Sequence, residues 1–192
     1  MAFPSVGQAA MLAAELGRAI AEQKPRSVAL LGCAGGNGLD QLKSPELSRV
    51  VCLDINADYV RQLKTRYTES IPSLECHVGE VESFRPDFCV DLIFEYTRLE
   101  EAIGSIAHLL REGGDVVAVL QLPAQTHATI TPSPYAEALS AISGFFQYID
   151  PRELTDLAAQ GGLTLQEERT LTLDSGKSFM LLRMKKTSLP EN

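Results

Sequence analysis

From Gln8 to Gln23, the residues Ala10, Leu12, Ala13, Leu16, Ile20 and Ala21 recur at helical spacings with charged residues between them, which predicts an amphipathic helix. Lys24-Pro25-Arg26 ends it, because the residue before a proline is pushed out of the α region. Ser27 to Leu31 is a short, almost wholly apolar run leading into glycines, the pattern of a strand covered on both faces. Gly38 to Leu42 leaves room for a short helix before Ser44-Pro45 breaks it. Val50 to Leu53 is a second apolar run, stopping at Asp54. Asn56 suits the N-cap of a helix through Tyr67, with Tyr59, Val60 and Leu63 as its inner face.

Leu74 to Val78 reads as a third strand and Val90 to Phe94 as a fourth, followed by a helix from Glu100 to Arg111 that Gly113-Gly114 closes. Val116 to Leu122 is a fifth strand, after which Pro, Thr and Ser dominate from Pro123 to Pro134. Helices are predicted over Ala136 to Ile142 and Pro151 to Gln160, the latter with Asp150 at its N-cap and Gly161-Gly162 at its end. Leu163 to Leu173 and Lys177 to Met184 are strands joined by Asp174-Ser175-Gly176, which is hairpin chemistry. Strand and helix thus alternate five times before a helix pair and a terminal hairpin. Alternation predicts an α/β fold, a mostly parallel sheet with helices on both faces and one antiparallel strand from the hairpin. Ligands of such sheets sit at the carboxyl ends of the strands.

Composition narrows the function classes. With 45% hydrophobic and 22% charged residues in 192, the chain fits one globular domain, expected over 1–192. Within it, 1–26 supplies a first helix, 27–122 a ligand-binding core and 123–192 a further segment with the hairpin. No apolar stretch approaches the ~18–20 residues of a membrane helix, and Glu15, Arg18 and Glu22 interrupt the N-terminal hydrophobics as no secretory signal would. Cys33, Cys52, Cys76 and Cys89 form no CxxC pair and the three histidines are scattered, which argues against a zinc site. A reduced, cytoplasmic protein is the expectation. The formal charge of −8 argues against nucleic acid as a partner, since phosphate backbones are held by Lys and Arg clusters. The basic runs at Arg61 to Arg66 and Arg183 to Lys186 read as a solvated helix face and a strand end. The Phe145-Phe146 pair reads as core in preference to a small interface.

Three positions carry candidate chemistry, each at a strand tip. Gly32-Cys33-Ala34-Gly35-Gly36-Asn37-Gly38 places four glycines in seven positions, so the backbone turns sharply and a ligand can approach the main chain. A tight turn with no ligand accounts for the same glycines. Asp54 stands 22 positions beyond Gly32, where a carboxylate can accept both hydroxyls of a ribose or simply complement a helix N-terminus. Gly79-Glu80-Val81 follows the third strand, where an acid can accept from an exocyclic amine or sit solvated in a loop.

In this order the motifs resemble the class I S-adenosylmethionine-dependent methyltransferase family. The match runs through GCAGGNG, VVCLDINADYV, VGEV, VDLIFEY and LLREGGDVVAV, with SGKSFMLLR similar to the reversed last strand of that family. The resemblance implies a Rossmann-like three-layer sandwich with a mostly parallel seven-stranded sheet and an antiparallel C-terminal strand. It implies S-adenosylmethionine as cofactor and S-adenosylhomocysteine as product. Gly32, Cys33, Ala34, Gly35 and Gly36 would line the methionine part and ribose. Asp54 would hold the ribose hydroxyls, Ile55 would pack on the adenine, and Gly79, Glu80 and Val81 would surround its amine. Glu95 and Tyr96 would flank the reactive methyl group, with Glu95 either touching the cofactor or taking an acceptor proton.

Two departures stand out: Leu30 occupies the place of an acid found in many members, and Ala34 replaces the middle glycine. His127 lies in the segment expected to face the acceptor and is a candidate general base, with a solvated loop histidine as its other reading. The Asn-Pro-Pro-aromatic and Pro-Cys signatures of DNA methylation are missing, which favours a small-molecule acceptor by elimination. Two rivals stay open. A nicotinamide-dependent oxidoreductase shares the strand, turn and acid, although GxGxxG cannot be read cleanly through Ala34 and Asn37. A non-catalytic binding module would keep the fold without the reaction, and Leu30 keeps that reading alive.

Overall fold

A computed structural model of the chain describes residues 7–36, 38–42, 46–83, 90–92, 94, 97–123 and 146–187. The helix expected at residues 136–142, the Pro/Thr/Ser-rich stretch from residue 124 and Phe145 lie outside the described residues. The described elements are α1 (Gln8–Gln23), β1 (Ser27–Leu31), β2 (Arg49–Asp54), α2 (Ala57–Tyr67), β3 (Leu74–Val78), β4 (Val90–Leu92), α3 (Leu99–Leu109), β5 (Asp115–Gln121), α4 (Pro151–Gln160), β6 (Leu163–Thr172) and β7 (Ser178–Lys186). Helix starts follow local chemistry. The Asn56 side chain accepts from the amides of Asp58 and Tyr59 at 2.9 and 3.3 Å, and the Asp150 carboxylate accepts from that of Arg152 ahead of Pro151.

Hydrogen bonds join the strands in the order β3-β2-β1-β4-β5-β7-β6. The five from β3 to β5 are parallel, and β7 runs antiparallel to both β5 and β6. Strand alternation assigns the two faces. Val28, Leu30, Val50 and Cys52 pack with Leu16 of α1 and with Leu63 and Tyr67 of α2. Ala29, Leu31, Val51 and Leu53 pack with Ala102 and Ile106 of α3 and with Leu154 and Ala158 of α4. Helices therefore cover both faces, because successive strand residues point to opposite sides. Leu53 is wholly buried, and truncating it to alanine should cost about 2–5 kcal/mol.

Several boundaries moved. The short helix expected at Gly38 to Leu42 is a single 3-10 turn over Leu39–Leu42, anchored by two buried leucines. The inner face of α2 is Val60, Leu63 and Tyr67, with Tyr67 reaching under the glycine turn, and Tyr59 is only half-buried. β4 is described over Val90–Leu92, and Phe94 lies outside it, its carbonyl closing a turn with the amide of Thr97 at 3.0 Å. At the far end of the sheet α1 is tied to the antiparallel ribbon by charge. Arg18 bonds Glu167 at 3.0 Å and Arg169 bonds Glu15, while Arg183 joins Glu167 and Asp115 at 3.4 and 3.2 Å.

Candidate functional site

The parallel strands end together, and the register pairs Leu31 with Leu53 and Asp54 with Val78 at that edge. The chain leaves β1 through Gly32, at φ 72°, in a bend stapled to β2. The amides of Gly32 and Cys33 both donate to the Leu53 carbonyl, at 2.9 and 3.2 Å. Ala34 sits at φ 46°, a left-handed conformation that ordinary residues adopt only when something holds them there. Here its amide donates to Asp54 Oδ2 at 2.7 Å. Gly36, at φ 88°, completes the bend, and a Cβ there would lie 2.7 Å from Tyr67 Cε2 and 2.9 Å from Leu39 Cδ1. Packing as well as conformation demands glycine at this position.

Asp54 closes the arrangement. It is 9% exposed, and its second oxygen accepts from the Asn56 amide at 2.9 Å. An ionised carboxylate offers about four lone-pair sites, so two backbone donors leave capacity for two more partners. The carboxylate and the glycine bend are therefore in direct contact, and no side chain separates them. Beside it, Ile55 is 67% exposed and Val78, on the neighbouring tip, is 55% exposed, the two most exposed large hydrophobic residues among those described. Exposed apolar surface next to a held carboxylate suits a ligand with a flat apolar part and a hydroxylated part. Glu80 is exposed just beyond, and the amide of Gly79 donates to the Asp54 carbonyl at 3.1 Å, which fixes the third tip against the second.

Two of the expected positions have buried side chains. The Cys33 side chain is buried in the apolar cluster with Cys52 and Cys76, so only its backbone faces the bend. Hydrogen bonding with Cys52 and burial push its thiol far up, which makes it an inert packing residue. The Val81 side chain is likewise buried in the core on the α3 side. Leu30 is buried among Leu16 and Leu39. Glu95, Tyr96 and His127 lie outside the described residues, as does Asn37. Two contributors were missed. Arg66, read as part of a solvated face, bonds the Gly35 carbonyl at 3.4 Å and lies over the Tyr67 ring, bracing the bend. Val78, the last residue of β3, is exposed by that strand's place at the sheet edge.

No family model matches the chain. Among solved structures it is similar to geranyl diphosphate C-methyltransferase from Streptomyces coelicolor A3(2), in complex with Mg2+, geranyl diphosphate and S-adenosyl-L-homocysteine. That likeness has a TM-score of 0.68 at 14% identity, over 91% of this chain and 77% of the other. A geranyl diphosphate methyltransferase in complex with SAM matches at TM-score 0.66 and 16% identity, over 94% and 91%. An O-methyltransferase family protein from Burkholderia thailandensis matches at TM-score 0.66 and 17% identity, over 92% of this chain and 57% of its own. These likenesses establish an α/β fold shared with methyltransferases. No described helix is long and apolar enough to cross a membrane.

Proposed function

We propose that this chain binds S-adenosylmethionine at the glycine bend and directs its methyl group to a small-molecule acceptor, releasing S-adenosylhomocysteine. The observation that carries the reading is Asp54, a nearly buried carboxylate held at the tip of β2 by the amides of Ala34 and Asn56. Its remaining lone pairs suit two ribose hydroxyls, and each charge-assisted bond contributes about 1.5–3 kcal/mol. Ile55 and Val78 offer the adenine an apolar surface, with Glu80 near enough in sequence to take its amine. Gly32, Ala34, Gly35 and Gly36 present backbone to the rest of the ligand. When bound, S-adenosylmethionine supplies a sulfonium-activated methyl group. The protein's own task is to align donor and acceptor and exclude water, which can be worth about 7–11 kcal/mol in favourable cases. Glu95 and Tyr96 are proposed beside the reacting atoms, and His127 as a general base. A small-molecule acceptor agrees with the acidic chain and with the substrate named for the geranyl diphosphate enzymes.

A binding module without catalysis is the second reading, and Leu30 favours it: an apolar side chain stands where an acid would help hold the cofactor amine. Calorimetry with S-adenosylmethionine, S-adenosylhomocysteine and NAD tests the cofactor. Binding of the first two but not of NAD supports the proposal, and NAD binding alone overturns it. Release of S-adenosylhomocysteine with a pooled acceptor library separates enzyme from module.

A further inference from the structure

Three connections meet beyond the carboxyl ends of β3 and β4, the end of the sheet where ligands of this architecture sit. The first is the 3-10 turn Val81–Ser83, which follows Gly79 and Glu80. The second runs from Phe94 to Arg98 into α3, and the third is the segment ahead of α4. Each buries apolar side chains in one core cluster, Val81 from the first, Phe94 and the following Leu99 from the second, and Ile149 from the third. Polar ties then hold the second connection in place. The Phe94 carbonyl accepts from the amide and the hydroxyl of Thr97, at 3.0 and 2.9 Å. The Thr97 carbonyl accepts from Gln147 Nε2 at 2.8 Å, and the Arg98 amide donates to Glu82 Oε1 at 3.0 Å.

The tie to Glu82 is not what a helix start requires. α3 begins at Leu99, so Glu101 occupies its third position, from which an acid commonly reaches back to the N-cap amide. Glu101 instead pairs with the Arg98 guanidinium at 2.9 Å, and the amide goes to an acid 16 residues upstream. Glu82 is itself held for that contact. Its side chain is 12% exposed, and the Ser105 hydroxyl of α3 donates to its carbonyl at 2.6 Å. Side chains from the two flanking connections thus fix Thr97 and Arg98, directly after Glu95 and Tyr96 in the sequence.

We infer that Glu82 and Gln147 are positioning residues for methyl transfer, which by fixing Arg98 and Thr97 set where the chain presents Glu95 and Tyr96. The inference rests on the methyl-transfer reading, in which those two residues stand beside the reacting atoms. The full chain is compared as wild type, Glu82→Ala, Glu82→Gln and Gln147→Ala. Turnover is read as S-adenosylhomocysteine released from saturating S-adenosylmethionine with the pooled acceptor library, and S-adenosylhomocysteine affinity by calorimetry. Glu82→Ala should slow turnover at least about tenfold, the loss of one charge-assisted hydrogen bond, with affinity unchanged. A displacement of about 1 Å at the reacting groups would deepen that loss to about 10²-fold. Glu82→Gln keeps an oxygen for the Arg98 amide and should retain most of the rate, a rescue specific to that bond. Gln147→Ala should slow turnover about three- to tenfold, the loss of one neutral hydrogen bond. Hydrogen exchange reads the tie itself: the Arg98 amide should exchange faster in Glu82→Ala and at the wild-type rate in Glu82→Gln. A Glu82→Ala chain that turns over as fast as wild type, or that loses affinity as much as turnover, overturns the inference. Should Glu82→Ala fail to fold, Gln147→Ala, altered at an exposed side chain, decides, and wild-type turnover there overturns it. A wild-type chain that releases no S-adenosylhomocysteine counts against the methyl-transfer reading, and equal Arg98 exchange in wild type and Glu82→Ala then overturns the tie.

Discussion

Replacing Asp54 by alanine removes the acceptor shared by two backbone amides, those of Ala34 at 2.7 Å and Asn56 at 2.9 Å. Hydrogen bonds to a charged group contribute about 1.5–3 kcal/mol each, so the sum would reach about 3–6 kcal/mol if neither amide found a substitute. Asp54 keeps 9% of its surface exposed, so water can reach part of the gap and the lower end, about 3 kcal/mol, is expected. For a domain of this size each kcal/mol moves the melting temperature by about 2–4 °C, which gives a fall of about 6–12 °C. Ala34 loses its tether at the same time and should relax from φ 46°, opening the bend. Affinity for S-adenosylhomocysteine should fall about tenfold or more for the lost ribose contacts. Asp54→Asn keeps one acceptor but turns an NH2 group toward the other amide, and should lie between the two proteins. Scanning calorimetry reads the stability and titration calorimetry the affinity. An alanine variant that melts within about 2 °C of wild type would refute the structural reasoning, and one that binds the nucleoside equally well would refute the assigned role.

Gly36→Ala should lower both stability and nucleoside affinity, because φ 88° costs a side-chain residue about 1–2 kcal/mol and the new Cβ would force Tyr67 aside. Thermal melts and binding isotherms check it, and an unchanged melt contradicts the packing of Tyr67 under the bend. Ala34→Gly should leave stability equal or raised by up to about 1 kcal/mol, relief of left-handed strain outweighing the added freedom of the unfolded chain. A denaturant midpoint clearly below wild type would contradict that balance. Burial pushes the Glu167 carboxyl up, but the bond and charge of Arg18, with Arg183 and Arg169, hold it below its ordinary 4.5. A carboxylate lowered in the folded state contributes stability that is present above pH 4.5 and is lost as pH falls through the lowered value. Arg18→Met should flatten that acid-side loss in melts taken across this window, and an identical slope would remove the α1 clasp as its cause.

Much of the scaffold was legible in the sequence. α1, β1, β3 and α4 were placed correctly at both ends, because a buried parallel strand reads as an apolar run and a helix as a three-to-four-residue recurrence. The α2 and α4 caps were visible as Asn56 and Asp150, since capping is a local hydrogen bond. The glycine bend and Asp54 were legible as a spacing. The burial of the Cys33 and Val81 side chains was not legible, because a residue's place in a motif does not say which way its side chain points.

Local covalent preference and hydrophobic period thus determined which segments are strands and helices, several of their ends, and that a glycine bend is followed by an acid. Only the tertiary structure decided that Asp54 holds Ala34 in a left-handed conformation, that Tyr67 fills the space under Gly36, and that Lys177 is buried although it follows a hairpin turn. The physical reason is range. Backbone preference and capping act over about four residues, whereas side-chain direction and burial are set by neighbours on other strands, which the chain brings together only when the sheet closes.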